Sequence, residues 1–179
     1  MKTTAPARHS LSKFALCTIL AFLGASPMPA ALAAGDADLE QGLILAMTLD
    51  KAKQERPNDS GVPIQAYKKQ GLISFKPTKR EDYTDYYVLK KPATFLGQKL
   101  IVIEEEYMIK FVGCCVDEGL GVFVETVGPT DALKALAAEN RCEYKEGEEV
   151  RQDIAGLSPA IAPSGHFGHL SCRTQSIFR

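Results

Sequence analysis

The stretch from Leu100 to Thr126, LIVIEEEYMIKFVGCCVDEGLGVFVET, constrains the fold of this chain more than any other. Two runs rich in apolar and β-branched residues flank a Gly-bounded segment that carries adjacent cysteines, Cys114 and Cys115. Such a pattern reads as an antiparallel pair of strands with the cysteines at the tip of the connecting loop. Period-two alternation places Ile101, Ile103, Tyr107, Ile109 and Phe111 on one face. The opposite face mixes Glu104, Glu106 and Lys110 with Leu100, Val102, Met108 and Val112. Glu105 would interrupt the apolar face, and Leu100–Val112 is longer than an ordinary strand, so a break is expected at Glu105 or Glu106. The return strand is expected over Leu120–Val127, with Gly113, Gly119 and Gly121 read as turn residues.

The cysteine count takes its meaning from the N-terminus. Lys2, Arg8 and Lys13 form a basic region, Phe14–Ala25 an apolar one, and Ala31-Leu32-Ala33 a small-residue cleavage site, which together read as a secretory signal over residues 1–33. The apolar run is too short to span a bilayer, and no later run approaches the roughly 20 residues that a spanning helix needs. Membrane insertion after cleavage is therefore not expected, and a periplasmic or secreted chain is. Cys17 lies within the signal; Leu16 before it does not suit a lipidation site. Taking 33 residues from 179 leaves 146, residues 34–179, enough for a single domain with its own core. The three basic residues lost leave 18 Lys and Arg against 22 Asp and Glu, a formal charge of −4 that argues against nucleic acid or an anionic membrane as partner. Four cysteines remain: Cys114, Cys115, Cys142 and Cys172. In an exported chain this even count reads as disulfides, with Cys142–Cys172 the preferred pair and the bonding of Cys114 and Cys115 left open between a vicinal bridge, free thiols and links to the other two.

Elsewhere the periodicities alternate between helix and strand. Leu39, Leu43, Ala46 and Met47 share a face of a helix expected over Leu39–Glu55, with Asp38 and Gln41 at capping-box spacing and Pro57 as its stop. A short helix over Ile64–Ser74 is interrupted by Gly71, the segment KPTKRED reads as a charged loop, and Tyr83–Leu89 as a strand. Thr130 is placed to cap a helix over Asp131–Glu139; RCEY is a short strand, Glu146–Leu157 a further helix, SPAIAPSG a loop, and HFGHLSCR a last strand. This order implies an α+β domain with a mostly antiparallel sheet, an N-terminal helix, two more helices in the C-terminal third and a disulfide staple.

Catalytic signals are sparse. His166, His169 and Cys172 make an HxxHxxC pattern, yet in a strand His166 shares a face with Cys172 while His169 points away with Phe167 and Ser171. Asp117 and Glu118 beside the paired cysteines would raise a thiol pKa, which disfavours redox exchange. The run Glu104-Glu105-Glu106 alternates between faces, so it reads as a solvated face rather than a carboxylate pair, with Glu105 the one residue placed for a perturbed pKa. No GxSxG is present, and no cofactor motif. Tyr83, Tyr86 and Tyr87 supply rings of the kind found at binding hot spots, next to an acidic loop bearing Asp117 and Glu118. The expectation is a non-enzymatic protein-binding module of the inhibitor or immunity type, blocking a periplasmic hydrolase or toxin. Two alternatives stand beside it: a metal- or thiol-dependent enzyme using His166, His169, Cys114 and Cys115, and a structural component of an envelope assembly docking through the helix after Leu39.

Overall fold

The computed structural model describes residues 34–106, 117–158 and 165–178, all within one compact unit. The expected signal over residues 1–33, the strand continuation Tyr107–Val112, the Cys114–Cys115 tip and most of the SPAIAPSG loop lie outside the described residues. In chain order the elements are α1 (Ala34–Met47), α2 (Gly61–Lys69), β1 (Lys79–Glu81), β2 (Thr84–Val88), β3 (Thr94–Phe95), β4 (Gln98–Glu106), β5 (Gly119–Glu125), α3 (Asp131–Glu139), β6 (Glu143–Glu146), α4 (Glu148–Leu157) and β7 (Phe167–Arg173), followed by a 3₁₀ turn, Gln175–Phe178. The domain is α+β, as its alternating periodicities imply. Seven strands form one antiparallel sheet in the order β1-β2-β4-β5-β7-β6, with β3 paired to the start of β4. Cys142 and Cys172 are disulfide-bonded. Among the described residues no helix is long and apolar enough to cross a membrane.

The sheet has two differently furnished faces. On the first, Leu100, Ile103, Leu120, Val122, Val124, Leu170 and Cys172 pack against Leu43 and Met47 of α1, Ile64 and Tyr67 of α2, and Leu133 and Ala137 of α3. On the second, a smaller cluster joins Ile101, Val102, Phe123 and Phe167 to Val150 and Ile154 of α4. Helix α4 covers only part of this second face. The uncovered remainder carries the polar groups described below.

Local patterning misplaced several boundaries, each for an identifiable tertiary reason. Helix α1 stops at Met47, well short of Glu55, because its C-terminal carbonyls are taken by other groups: Arg56 Nη1 donates to the Met47 carbonyl, and Thr48 Oγ1 to that of Ile44. Asp50 Oδ1 then accepts from the Ala52 and Lys53 amides and turns the chain. Asp38 and Gln41 lie inside α1 and cap nothing. Helix α2 begins three residues early, at Gly61, and ends before Gly71, whose φ of +67° suits glycine alone without strain. Part of KPTKRED is strand β1, an edge held by pairing with β2. Thr130 precedes α3 as expected, but its side chain makes no capping bond; its hydroxyl donates to Glu146 Oε1 instead.

The break in the long strand also lies elsewhere. Glu105 stays in register, paired with Asp85 and Leu120. The irregularity falls between Leu100 and Val102, where Ile101 has no partner on β5. This bulge turns Ile101 and Val102 to the second face and returns Ile103 to the first. Glu104 and Glu106 are thereby set on the second face.

Asn140, just past α3, links distant parts of the fold. Its Oδ1 accepts from the Leu49 amide at 2.9 Å and its Nδ2 donates to the Leu136 carbonyl at 3.0 Å, with the residue itself buried. Asn140→Ala is expected to lower stability by about 1–3 kcal/mol, since the Leu49 amide would lose its acceptor. Equilibrium urea unfolding checks this; a change below about 0.5 kcal/mol would mean that water replaces the side chain without penalty.

Candidate functional site

Two groups of residues concern function, and cross-strand register explains both. Glu81, Thr84, Glu106, Gly119 and Arg173 occupy one row across the sheet. The β1–β2 turn, the entry to β5 and the exit from β7 therefore meet at one end of the sheet. One row inward lie Tyr86, Glu104, Gly121 and Ser171, and the next pairing on β5 and β7 is Phe123 with His169.

Glu104 is the hub of the second face. Its side chain crosses β5 to reach β7, which Gly121 allows: a Cβ built there would lie 2.1 Å from Glu104 Oε1. Oε1 accepts from His169 Nε2 and from Arg173 Nη2, both at 2.9 Å. Arg173 Nη1 also pairs with Glu106, and its Nε donates to Ser171 Oγ at 3.1 Å. Glu106 Oε1 accepts from the Asp117 amide at 2.7 Å, tying the entry of β5 to the same cluster. Gly119 likewise leaves no room for a side chain, with the Cys172 carbonyl 2.3 Å from a Cβ at that position. Gly119 and Gly121 are thus strand residues that clear a path for charged groups, which corrects their reading as turn residues. The solvated-face reading of the glutamates is also overturned, because Glu104 is only 2% exposed.

Charge and burial compete at Glu104. Burial alone would push its carboxyl up, but His169 and Arg173 outweigh that effect and hold it down at about 2. The carboxylate is therefore ionised at neutral pH, and the nitrogen of His169 facing it carries a proton. The His169 ring is further fixed by stacking on Phe123, 4.1 Å between centroids and 6° from parallel. Tyr86, beside Glu104, is pushed up to about 12 by burial and then by the Glu104 charge, so it stays a neutral phenol.

Glu105, expected to be perturbed, is raised by burial and by nearby Asp85 and Asp59, against the opposing pull of Lys68. It does not stand alone. Glu104 is lowered, and Glu118 is raised by burial and Asp59. Asp85 is buried on the first face, where Arg80 Nη2 donates to it at 2.7 Å and the Tyr87 hydroxyl at 3.2 Å.

The expected partner-binding residues separate into exposed and buried sets. Tyr83 lies in the β1–β2 turn, outside the strand, and is 45% exposed. Asp117 and Glu118 enter β5 at the same end of the sheet. Asp117 Oδ1 accepts from the Gln175 amide and the Glu118 carbonyl from the Thr174 amide, so this pair also anchors the C-terminal turn. Tyr86 is half-buried on the second face, while Tyr87 is buried in the first-face core with Lys68 Nζ on its hydroxyl. Tyr87 consequently cannot offer its ring to a partner.

The metal reading of HxxHxxC does not survive the geometry. Cys172 is disulfide-bonded, His169 is engaged by Glu104, and His166 is exposed just before β7. Among the described residues no group of three His, Cys, Asp or Glu side chains is placed to hold a metal ion. Helix α1, the docking element of the envelope-assembly alternative, commits Leu39, Leu43, Ala46 and Met47 to its own core. The clue to the Glu104 cluster was present in the sequence: Gly119 and Gly121 at period two in an apolar strand, with His169, Ser171 and Arg173 at period two in another. Only the strand order β4-β5-β7 shows that the two features meet. No protein-family model matches this chain, and neither a curated protein nor a solved structure matches it.

Proposed function

We propose that the chain is an exported, non-enzymatic protein-binding module of the inhibitor or immunity type, which blocks a periplasmic hydrolase or toxin through the sheet end bearing Tyr83, Asp117 and Glu118. The observation that carries this reading is Tyr83. Its ring is exposed on a two-residue turn in which Asp82 and Tyr83 have φ values of +47° and +83°. A bulky residue rarely adopts that conformation, and strain of this kind collects at ligand-contacting sites. The turn fixes where the backbone presents this ring, and exposed tyrosines are enriched among binding hot spots. Glu118 and Asp59 add negative charge near the same end, suited to a basic groove on the partner. The Cys142–Cys172 disulfide fits an oxidising, extracytoplasmic compartment.

Capture of the partner from a periplasmic extract by immobilised protein, followed by affinity measurement, tests this reading. Tyr83→Lys should weaken the complex by about 2 kcal/mol, roughly thirtyfold, and Glu118→Lys by less. Asp117 is unsuitable for the comparison because its carboxylate anchors the C-terminal turn. Equal affinity of wild type and Tyr83→Lys would place the contact surface elsewhere.

A further inference from the structure

A cleft of about 400 Å³ opens on the second face of the sheet, within the size range of small-ligand sites. Its floor is made by Tyr86, Glu104, Phe123, His169 and Arg173. One wall is the β1 edge with Lys79 and Glu81, and the other is α4 with Gln152, Asp153, Gly156 and Leu157. We propose that this cleft binds a small organic cation, an ammonium group carried on an aromatic or alkyl body.

The floor supplies an acceptor that the fold leaves open. Glu104 Oε1 takes both hydrogen bonds from His169 and Arg173, while Oε2 of the same buried carboxylate accepts none from any described residue. That oxygen is not sealed off from solvent, so it is an acceptor open to the cleft, and a donor placed there would complete its hydrogen bonding. Water or a neutral hydroxyl could donate, but the charge of the cleft selects further. Glu81, Glu104 and Asp153 line it against Lys79 and Arg173, leaving −1 with His169 neutral and 0 with it protonated. Lys79 and Glu81 neutralise each other at 2.9 Å. Arg173 is bound by Glu104, Glu106 and Ser171. Asp153 stands exposed at the rim. An anion would find no uncommitted cation to receive it, since Lys79 and Arg173 are both held by carboxylates. An ammonium would meet an open acceptor below, a carboxylate at the rim, and the Tyr86 ring and Leu157 side chain for its body.

Three ligands of one shape isolate the charge: benzylammonium, benzyl alcohol and benzoate, titrated into the full-length protein and followed by amide NMR shifts. Benzylammonium should perturb α4 and β7 and bind at least tenfold more tightly than benzyl alcohol, with benzoate silent up to about 10 mM. Two variants avoid the buried cluster, whose disruption could unfold the protein. Asp153→Lys, at an exposed helix position, should weaken benzylammonium by about tenfold or more. Gly156→Leu should abolish binding. A Cβ at Gly156 meets nothing within 4 Å, so the side chain can occupy the cleft, and replacing a glycine in the last turn of α4 should leave folding intact. The proposal is overturned by benzoate or benzyl alcohol binding as tightly as benzylammonium, by no response to benzylammonium up to about 10 mM, or by full retention of binding in Gly156→Leu.

Discussion

Arg173→Met is expected to destabilise the domain by about 3–5 kcal/mol at neutral pH, and the deficit should shrink in acid. The substitution keeps most of the apolar stem but removes the guanidinium that joins Glu104, Glu106 and Ser171. Two carboxylates, one of them buried, would then face each other across a low-dielectric surface with only the His169 ring still hydrogen-bonded to Glu104. The pH dependence follows from Glu104, whose folded-state value of about 2 lies below the ordinary 4.5. A depressed carboxyl contributes stability that is present above the ordinary value and lost as pH falls from about 4.5 towards 2, about 3 kcal/mol in all. In Arg173→Met, burial is opposed by one charged partner fewer, the Glu104 carboxyl rises, and protonation relieves the variant where it penalises the wild type. Denaturant unfolding at pH 7 and pH 3 should therefore give a smaller difference between the two proteins at the lower pH. An equal difference at both would mean that lost packing, rather than unpaired charge, accounts for the effect.

Gly121→Ala approaches the same cluster from beneath. The new methyl group would occupy the position of Glu104 Oε1, and relief requires the carboxylate to leave its partners. Destabilisation of similar sign is expected in the wild-type background and much less in a Glu104→Ala background, where the space is already vacant.

The α+β class, α3 over Asp131–Glu139, the antiparallel pairing of β4 with β5 and the Cys142–Cys172 bridge are all legible in the sequence. Each depends on local periodicity or on a small set of combinatorial choices. What escaped depended on contacts between segments far apart in the chain. The end of α1 is set by Arg56 and the Asp50 turn, neither of which alters the apolar spacing that suggested a longer helix. The bulge at Ile101 reverses the facing of its neighbours without any glycine or proline to announce it. Strict alternation therefore put Ile101 with Ile103, whereas the fold separates them. Glu104 looked solvated because a carboxylate at the head of a run of three in a strand normally is. Its burial requires a glycine one strand away and an arginine two strands away, and that coincidence appears only when the register is known. Tyr83, expected to be part of a strand, instead lies in a left-handed turn, and its exposure comes from that turn.

Opening the Cys142–Cys172 bridge is expected to lower stability by about 3–4 kcal/mol, through the loop entropy released to the unfolded chain by a crosslink spanning 30 residues. For a domain of this size that corresponds to a fall in Tm of roughly 10 °C. Reduction is a cleaner test than substitution, because Cys172 is completely buried among first-face residues and Cys172→Ala would add a packing loss to the lost crosslink. The bridge also bears on the second face. Cys172 lies between Ser171 and Arg173 on β7, pointing away from them, so it fixes the strand whose opposite side presents His169 and Arg173 to Glu104. Hydrogen exchange in the reduced protein should accordingly show its largest losses of protection along β6 and the C-terminal half of β7, while β4 and the β2 ladder keep theirs. Thermal unfolding with and without reductant, with peptide mapping to show both sulfurs freed, checks the magnitude. A Tm unmoved after demonstrated reduction would show that the β5–β7 ladder and the Glu104–Arg173 pair hold the strand without help from the crosslink.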